Sequence, residues 1–176
     1  MLGPRLDGAG GVSLRPQSRA ELEVILPLQA LPEASRFWGP RFGRYGRSAA
    51  GERLRQNESD ARSVNWSVYL GEEPVGFTGI FHIDWVRRDA ETGIFLGRAD
   101  LYGSGIATEA LRLRTRYARE QLRLHRLYNY VALTNRGSRR ASEKAGYREI
   151  GRFEEGWYRA GEWVADWLGE VLLDQP

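Results

Sequence analysis

The sequence predicts an α+β fold with a central mixed, mostly antiparallel sheet of about seven strands and about four helices. Between residues 64 and 96, apolar and polar residues alternate in three runs separated by short turns, which is the pattern of an antiparallel meander. After residue 105 the apolar period becomes that of a helix, and a strand–helix–strand–strand order follows. This order implies a parallel crossover near the middle of the sheet.

The first half of the chain begins with the glycine-rich residues 1–11, which we expect to form a disordered leader before a single domain at 12–176. A short strand is predicted at 12–15, and a helix at 19–29 with Ser18 as its N-cap. The other elements predicted in this half are a polar helix at 52–60 and strands at 64–70, 75–85 and 91–96.

The second half opens with a long amphipathic helix, predicted at 105–124. Its apolar face carries residues such as Ile106 and Leu111, and we expect it to pack on the sheet. The opposite face is expected to be solvated and carries Arg112, Arg114, Arg116, Arg119 and Arg123. The elements that follow are a strand at 127–133, a helix at 138–145 that ends at Gly146, and strands at 147–153 and 162–173.

Composition excludes several classes of protein. The 176 residues are 41% hydrophobic and 28% charged, which is ordinary for a globular chain. The absence of cysteine excludes a disulfide scaffold, thiolate zinc sites and a cysteine nucleophile. With only His82 and His125 a three-histidine metal site cannot form, so no metal is expected. No apolar stretch approaches the ~20 residues of a membrane span and no signal peptide is evident, so we expect a cytoplasmic protein without a membrane partner.

The segment 100–110 is the most informative part of the chain, because it joins a strand to the long helix and places Gly103 and Gly105 at the helix start. Glycines there permit tight backbone angles and the close approach of a ligand. The free N–H groups of the first helical turn and the helix dipole together favour a phosphate. The segment is neither a P-loop nor a dinucleotide fingerprint, since no GK[ST] and no third glycine follow.

Several motifs occur in order from this turn to the end of the chain. They are Gly103-Ser104-Gly105-Ile106-Ala107-Thr108-Glu109-Ala110-Leu111, Leu124-His125-Arg126-Leu127, Asn135 with Ser138, and Glu143-Lys144-Ala145-Gly146-Tyr147. Over about residues 12–173 the chain resembles the GCN5-related N-acetyltransferase (GNAT) superfamily, and within it the RimJ/RimL-like branch of ribosomal-protein N-terminal acetyltransferases. Asp100 stands where that family has Gln or Arg, and a carboxylate there opposes a bound pyrophosphate unless it points outward or Arg98 takes over.

The resemblance implies a GNAT fold in which the central strands 91–96 and 127–133 splay apart and hold acetyl-CoA between them. It also implies direct transfer of the acetyl group to a primary amine. Carried onto this chain, backbone groups of Ile94, Phe95 and Leu96 contact the pantetheine arm. The pyrophosphate is implied to bind the amides of Leu101, Tyr102, Gly103, Ser104, Gly105, Ile106 and Ala107. Asn135 and Ser138 are implied to contact the far end of the pantetheine and the thioester.

Two candidate bases follow from the chemistry, because an alkylammonium must lose a proton before it attacks. Glu91 begins the strand beside the implied acceptor groove, and His82 on the preceding strand is the alternative. The family's tyrosine that protonates the thiolate is absent after Asn135, so Ser138 is assigned the acid or positioning role. Trp38, His82, Glu155 and Trp157 are assigned to substrate binding. Trp157 stands where some ribosomal enzymes have a glutamate base, and Glu155 lies on the same face if the strand is regular.

Two charged segments bear on the acceptor. Residues 149–170 hold six acids and two arginines, a net charge of −4 that attracts a cationic amine. Residues 36–55 hold six arginines and one glutamate, interleaved with aromatics, and suit an acidic substrate or ribosomal RNA. The alternatives are an RNA-binding module that uses loop 36–47, or a GNAT-fold protein that binds acetyl-CoA without catalysis. A protein N-terminus, a polyamine and a small-molecule amine all stay open as acceptor, as do monomer and homodimer.

Overall fold

The computed structural model describes residues 1–38, 47–159 and 161–173. Its strands are β1 (Leu6–Asp7), β2 (Val12–Pro16), β3 (Val64–Leu70), β4 (Glu73–Asp84), β5 (Asp89–Leu96), β6 (Arg126–Ala132), β7 (Arg148–Arg159) and β8 (Glu162–Leu172). Its α-helices are α1 (Arg19–Leu28), α2 (Pro32–Trp38), α3 (Ala50–Ser59), α4 (Ile106–Glu120) and α5 (Arg136–Lys144). The α+β prediction is confirmed, and β1 and α2 are the elements that the sequence pattern did not indicate.

The strands form one sheet in the order β1-β2-β3-β4-β5-β6-β8-β7. Neighbouring strands are antiparallel except β5 and β6, which pair in parallel through the crossover helix α4. The predicted meander of β3, β4 and β5 and the parallel crossover after it are therefore confirmed. The crossover places the end of β5 and the start of α4 side by side at one edge of the sheet.

Local caps set where two of the helices begin. Ser18 caps α1 through a capping box, because its hydroxyl accepts the Glu21 N–H while the Glu21 carboxylate accepts the Ser18 N–H. α5 begins at Arg136, two residues before the predicted start, because the Asn135 side chain accepts the Ser138 N–H at 3.1 Å. None of the helices in the described ranges is long and apolar enough to cross a membrane.

Residues 1–11 differ from the expected disordered leader, because they lie along the sheet. β1 pairs with β2, and the Gly3 N–H donates to the Asn65 carbonyl at 3.0 Å. The Trp66 indole N–H donates to the Pro4 carbonyl at 2.9 Å. A Cβ on Gly3 would stand 1.8 Å from the Trp66 ring, so glycine is what permits this close packing. Glycine content indicated flexibility, whereas here it serves contact with an aromatic side chain.

Helices cover both faces of the sheet. Ile106, Leu111 and Leu113 of α4 join the main buried cluster on one face, together with Trp66 and Trp167. On the other face, Ile25 of α1 packs with Phe95 of β5. Arg114 was expected on the solvated face of α4, but its side chain is fully buried. Its guanidinium finds hydrogen-bond acceptors on β4, on β5 and at Tyr147, which allows a charged residue to enter the core.

Candidate functional site

β5 and β6 separate in the middle of the sheet. They pair only from Asp89 with Arg126 to Glu91 with Tyr128. Beyond those pairs β5 continues to Leu96 and β6 to Ala132, with no pairing between them. A gap therefore opens between two strands that are neighbours in the sheet, and each of them presents a free edge to it.

The edge of β5 presents alternate main-chain groups to this gap. The Gly97 N–H donates to the Val75 carbonyl of β4 at 2.9 Å, in register with the ladder between the two strands. Main-chain groups alternate sides along a strand, so the groups of Phe95 also face β4. Those of Ile94 and Leu96 face the gap. The implied contact of pantetheine with the Phe95 backbone is not favoured by this register.

The edge of β6 faces the gap in the same way. The Leu133 N–H donates to the Ala165 carbonyl at 2.9 Å, which continues the ladder between β6 and β8. By the same alternation, the main-chain groups of Tyr130 and Ala132 point into the gap. An extended ligand between the strands would therefore meet hydrogen-bonding groups on both sides.

The start of α4 lies at the wide end of this gap and is shaped by two glycines. Gly103 has φ 84° and Gly105 has φ 93°, and a Cβ built on either would meet nothing within 4 Å. Gly105 caps α4 without a side-chain hydrogen bond, and the helical ladder begins with the Glu109 N–H donating to its carbonyl at 3.0 Å. The N–H groups of residues 106–108 precede that ladder at the positive end of the helix, where an anion is favoured.

The loop before α4 is held to the sheet by its own side chains. The Tyr102 hydroxyl donates to the Leu96 carbonyl at 3.1 Å, which joins the loop to the free edge of β5. The Ser104 hydroxyl donates to the Leu101 carbonyl at 2.6 Å and tightens the turn. These bonds fix the position of the glycine turn relative to the gap.

The Asp100 carboxylate forms an ion pair with Arg98. The Arg98 guanidinium donates to both carboxylate oxygens, at 2.9 and 2.6 Å, and its third nitrogen pairs with Glu73 at 2.5 Å. This hydrogen bonding lowers the pKa of Asp100 and keeps it ionised. The carboxylate that departs from the family's Gln or Arg is thus ion-paired with its neighbour Arg98, which it shares with Glu73.

The two candidate bases meet at the narrow end of the gap. A register shift after Phe81 leaves His82 with φ 53°, a left-handed conformation uncommon outside glycine. This bulge brings the His82 Nδ1 to 3.3 Å from the Glu91 carboxylate. The Glu91 side chain is 19% exposed and that of His82 is 73% exposed. A partly buried carboxylate is thus joined to an imidazole in contact with solvent.

Two acidic side chains act on Tyr130 at the free edge of β6. Burial is the main cause of a raised pKa at Tyr130, and the charges of Glu91 and Asp166 add to it. Asp166 itself is only 3% exposed. Beside His82, a groove of about 290 Å³ is lined by Arg62, His82, Asp84, Arg87, Asp89, Arg126 and Tyr128. Glu91 at the narrow end therefore lies beside a mixed-charge groove, whereas Asp166, which pairs with Ala132, lies towards the wide end of the gap.

Residues 12–148 match the acetyltransferase (GNAT) domain family. The chain belongs to this family. It is 30% identical over 107 residues to a Bacillus subtilis protein named ribosomal N-acetyltransferase YdaF, a match that covers 61% of this chain and 58% of YdaF. It is 38% identical over 105 residues to the N-acetyltransferase YjcK of the same species, covering 57% and 54% of the two chains. The chain thus matches a little over half the length of each relative.

Solved structures of GNAT proteins share this fold. Mycobacterium smegmatis RimJ in complex with CoA-disulfide superposes with a TM-score of 0.83 at 21% identity, covering 98% of this chain and 88% of RimJ. Vibrio cholerae spermidine N-acetyltransferase in complex with CoA and spermine also gives 0.83 at 21% identity, covering 93% and 96%. The resemblance to the GNAT superfamily is confirmed by the family match, and these structures share its fold.

The other predicted site residues in the described ranges lie on two further elements, Ser138 on α5 and Glu155 and Trp157 on β7. Ser138 is half-buried at the start of α5, where its N–H is held by Asn135. Glu155 is exposed and Trp157 half-buried, but they do not follow a regular strand. Phe153 pairs with Asp166 while Trp157 pairs with Val164, so a bulge removes the argument that Glu155 and Trp157 share a face.

Part of the expected acceptor region lies outside the described residues. Residues 39–46, which include Arg41 and Arg44 of the basic segment 36–55, belong to that part, and so does the side chain of Trp38 at the end of α2. In the described ranges, no group of three or more His, Asp or Glu side chains is placed to hold a metal ion.

Two contributors to the site were missed in the sequence. Tyr130 lies at the free edge of β6, and Arg114 contacts the back of β5. The alternation along β6 could have placed Tyr130 on the face of Tyr128. Helical spacing could have distinguished Arg114 from the four other arginines of that region, because it lies three or four positions from Ala110, Leu111 and Ala118 on the apolar face.

Proposed function

We propose that this chain transfers the acetyl group of acetyl-CoA to a primary amine. The observation that carries the proposal is the free edge of β5, which leads directly to the glycine-shaped start of α4. An extended arm with amide groups suits the exposed main-chain groups of Ile94 and Leu96, because it can add to the edge as a strand does. A pyrophosphate suits the N–H groups at the start of α4. Acetyl-CoA carries both groups in one molecule.

The fit of this ligand is supported by the space at the two glycines. No atom of the described residues lies within 4 Å of a Cβ built on Gly103 or Gly105, so phosphate oxygens can approach the backbone closely. The ion pair with Arg98, which is shared with Glu73, reduces the repulsion between Asp100 and a phosphate there. Asn135 and Ser138, at the start of α5, are proposed to contact the end of the pantetheine arm beside the thioester.

Glu91 is proposed to accept the proton of the ammonium, directly or through one water. His82, bonded to it and largely exposed, can pass that proton to solvent. The lone pair of the amine nitrogen then attacks the thioester carbonyl carbon. The Ile94 N–H at the free edge is the proposed donor to the oxygen that becomes negative. The carbon–sulfur bond breaks, the second proton of the nitrogen passes to the departing sulfur by way of the Ser138 hydroxyl, and an amide and free CoA thiol leave.

The acceptor is proposed to be cationic. Glu91 and Asp166 both act electrostatically on Tyr130 from opposite ends of the gap, so a cationic amine beside Tyr130 would be attracted by both carboxylates. An alkylammonium of a polyamine, a small molecule or a protein N-terminus meets this requirement. Relatives with ribosomal and spermidine acetyltransferase names span the same range of acceptors.

Thermal unfolding with acetyl-CoA tests the proposal first. Ligand at about 100 times its Kd adds about 2.7 kcal/mol, which raises the Tm by roughly 5–10 °C for a chain of this size. S-acetylpantetheine, which lacks the pyrophosphate, serves as the matched control and should give a smaller rise. A panel of spermidine, small amines and peptide N-termini is then assayed for release of free CoA thiol. The absence of any rise with acetyl-CoA contradicts the proposal.

A further inference from the structure

Arg114 carries a charge into the core without an acidic partner. Its side chain is 1% exposed. One terminal nitrogen donates to the Thr78 hydroxyl at 2.7 Å and to the Gly93 carbonyl at 2.8 Å, and the other donates to the Tyr147 hydroxyl at 3.3 Å. All three acceptors are neutral oxygens, and the Arg114 Nε finds no hydrogen-bond partner in the described ranges. Burying a guanidinium without a carboxylate partner costs free energy, because the protein core screens charge poorly. For the same reason, the electric field of the guanidinium acts strongly on nearby dipoles.

The Gly93 carbonyl receives that field. It accepts a hydrogen bond from the Arg114 guanidinium at 2.8 Å and another from the Thr78 hydroxyl at 2.8 Å. Gly93 lies in the stretch of β5 that has already separated from β6. Its carbonyl is therefore the point at which a buried cation contacts the wall of the gap from behind.

The same peptide unit carries the Ile94 N–H on its opposite side. The register of β4 and β5 directs the Gly93 carbonyl towards β4 and the Ile94 N–H into the gap. A cation at the oxygen of a peptide withdraws electron density from its nitrogen, which makes the N–H a stronger hydrogen-bond donor. The chain thus places a fixed positive charge one peptide away from the free edge.

We propose that Arg114 is a positioning residue that polarises the Gly93–Ile94 peptide, so that the Ile94 N–H stabilises negative charge on the thioester oxygen during acetyl transfer. This inference rests on the proposed function, since it assumes that the thioester lies at the free edge of β5. It adds a charged group that acts through the backbone and does not touch the substrate. Such a preset field needs no reorganisation during the reaction.

The test compares Arg114→Met, which removes the charge at similar volume, with Arg114→Lys, which keeps it. Arg116→Met, an exposed arginine two residues further along the same helix, is the matched control. Three quantities are measured: the Kd for acetyl-CoA, the kcat and KM for thiol release with spermidine as acceptor, and the infrared band of the thioester carbonyl in bound [1-13C]acetyl-CoA. The infrared measurement needs no acceptor.

We expect Arg114→Met to lower kcat about tenfold, less than the roughly 10²–10³-fold loss when an oxyanion donor is removed outright. The Kd should be unchanged, and the carbonyl band should move to higher frequency because the bond is less polarised. Arg114→Lys should recover part of both changes, and Arg116→Met should match the wild type. If Arg114→Met does not fold, Thr78→Val removes the second donor to Gly93 and should move the band in the same direction by less.

Three outcomes are distinguishable. A band that stays at the wild-type frequency in Arg114→Met, or in Thr78→Val where the first does not fold, overturns the inference while acetyl-CoA binding still supports the proposed function. A loss of acetyl-CoA affinity with no change in the band shows a purely structural role and overturns it as well. A wild-type protein that does not bind acetyl-CoA overturns the proposed function, and this inference with it.

Discussion

Replacing Gly105 with Asp places a carboxylate where the proposed pyrophosphate binds. Gly105 is the cap of α4 and has φ 93°, and a Cβ there projects into space with no atom within 4 Å. The side chain therefore meets no steric obstacle in the free protein. The left-handed backbone costs a non-glycine residue about 1–2 kcal/mol, less for Asp and Asn than for others. Gly105→Asn has the same shape and the same backbone cost without the charge.

Electrostatics sets the expected loss of affinity. At a separation of about 5 Å and an effective dielectric constant of about 20–80, a carboxylate and one phosphate charge repel by about 1–3 kcal/mol. Two phosphate charges raise the penalty to about 2–6 kcal/mol, which weakens binding at least about thirtyfold. Gly105→Asn lacks this electrostatic repulsion, so the ratio of the Kd values of the two variants measures the effect of the charge alone.

Isothermal titration with acetyl-CoA at low and at high salt measures both variants. Gly105→Asp should bind at least about thirtyfold more weakly than Gly105→Asn in low salt, and screening should narrow that gap in high salt. Both variants should unfold at nearly equal Tm without ligand. Equal Kd values for Asp, Asn and wild type would refute the assignment of the pyrophosphate to this turn.

Three further results are expected. Glu91→Gln should lower kcat by about 10²–10⁴-fold and alter the pH–rate profile with the Kd for acetyl-CoA unchanged, and wild-type rates at every pH would remove Glu91 from the mechanism. The Arg98 guanidinium lowers the pKa of Asp100, so the ion pair stabilises the fold above the ordinary Asp pKa and this contribution disappears as pH falls through the lowered value. Asp100→Asn should therefore lower the Tm slightly at pH 7 and match the wild type at about pH 2, and a difference that grows on acidification would contradict this reasoning. Gly3→Ala should lower the free energy of unfolding by about 1–3 kcal/mol, because the added Cβ overlaps the Trp66 indole. The control Gly51→Ala, in a helix, should leave that free energy unchanged or raise it. Equal free energies of unfolding for the two variants in chemical denaturation would contradict the packing of residues 1–11 on the sheet.

Local pattern was sufficient for most of the fold. The period-2 alternation of residues 64–70 predicted β3 with the bounds that the structure shows. The helical period after residue 105 predicted α4, and Ser18 predicted the start of α1. These features depend on neighbours within a few positions, so the sequence carries them directly.

Pairing between distant strands was not accessible in the same way. The place where β5 leaves β6 depends on packing of both strands and α4 together. The contact of His82 with Glu91 depends on a bulge in β4, which no local composition indicated. The order of residues 1–11 depends on the Trp66 ring beneath them.

The candidate site divides along the same line. The glycines at the start of α4 were predicted from the chain, because a helix start is a local event. Glu91 was expected to begin its strand, but β5 begins at Asp89 and Glu91 is its third residue. The helical period places Arg114 on the buried face of α4, but the acceptors on β4 and β5 that receive its guanidinium could not be predicted, because they belong to distant strands. Local sequence preferences thus determined the secondary-structure elements and where they begin and end. The packing of distant elements determined which polar groups lie together, because hydrogen bonds to buried charges form only when those elements meet.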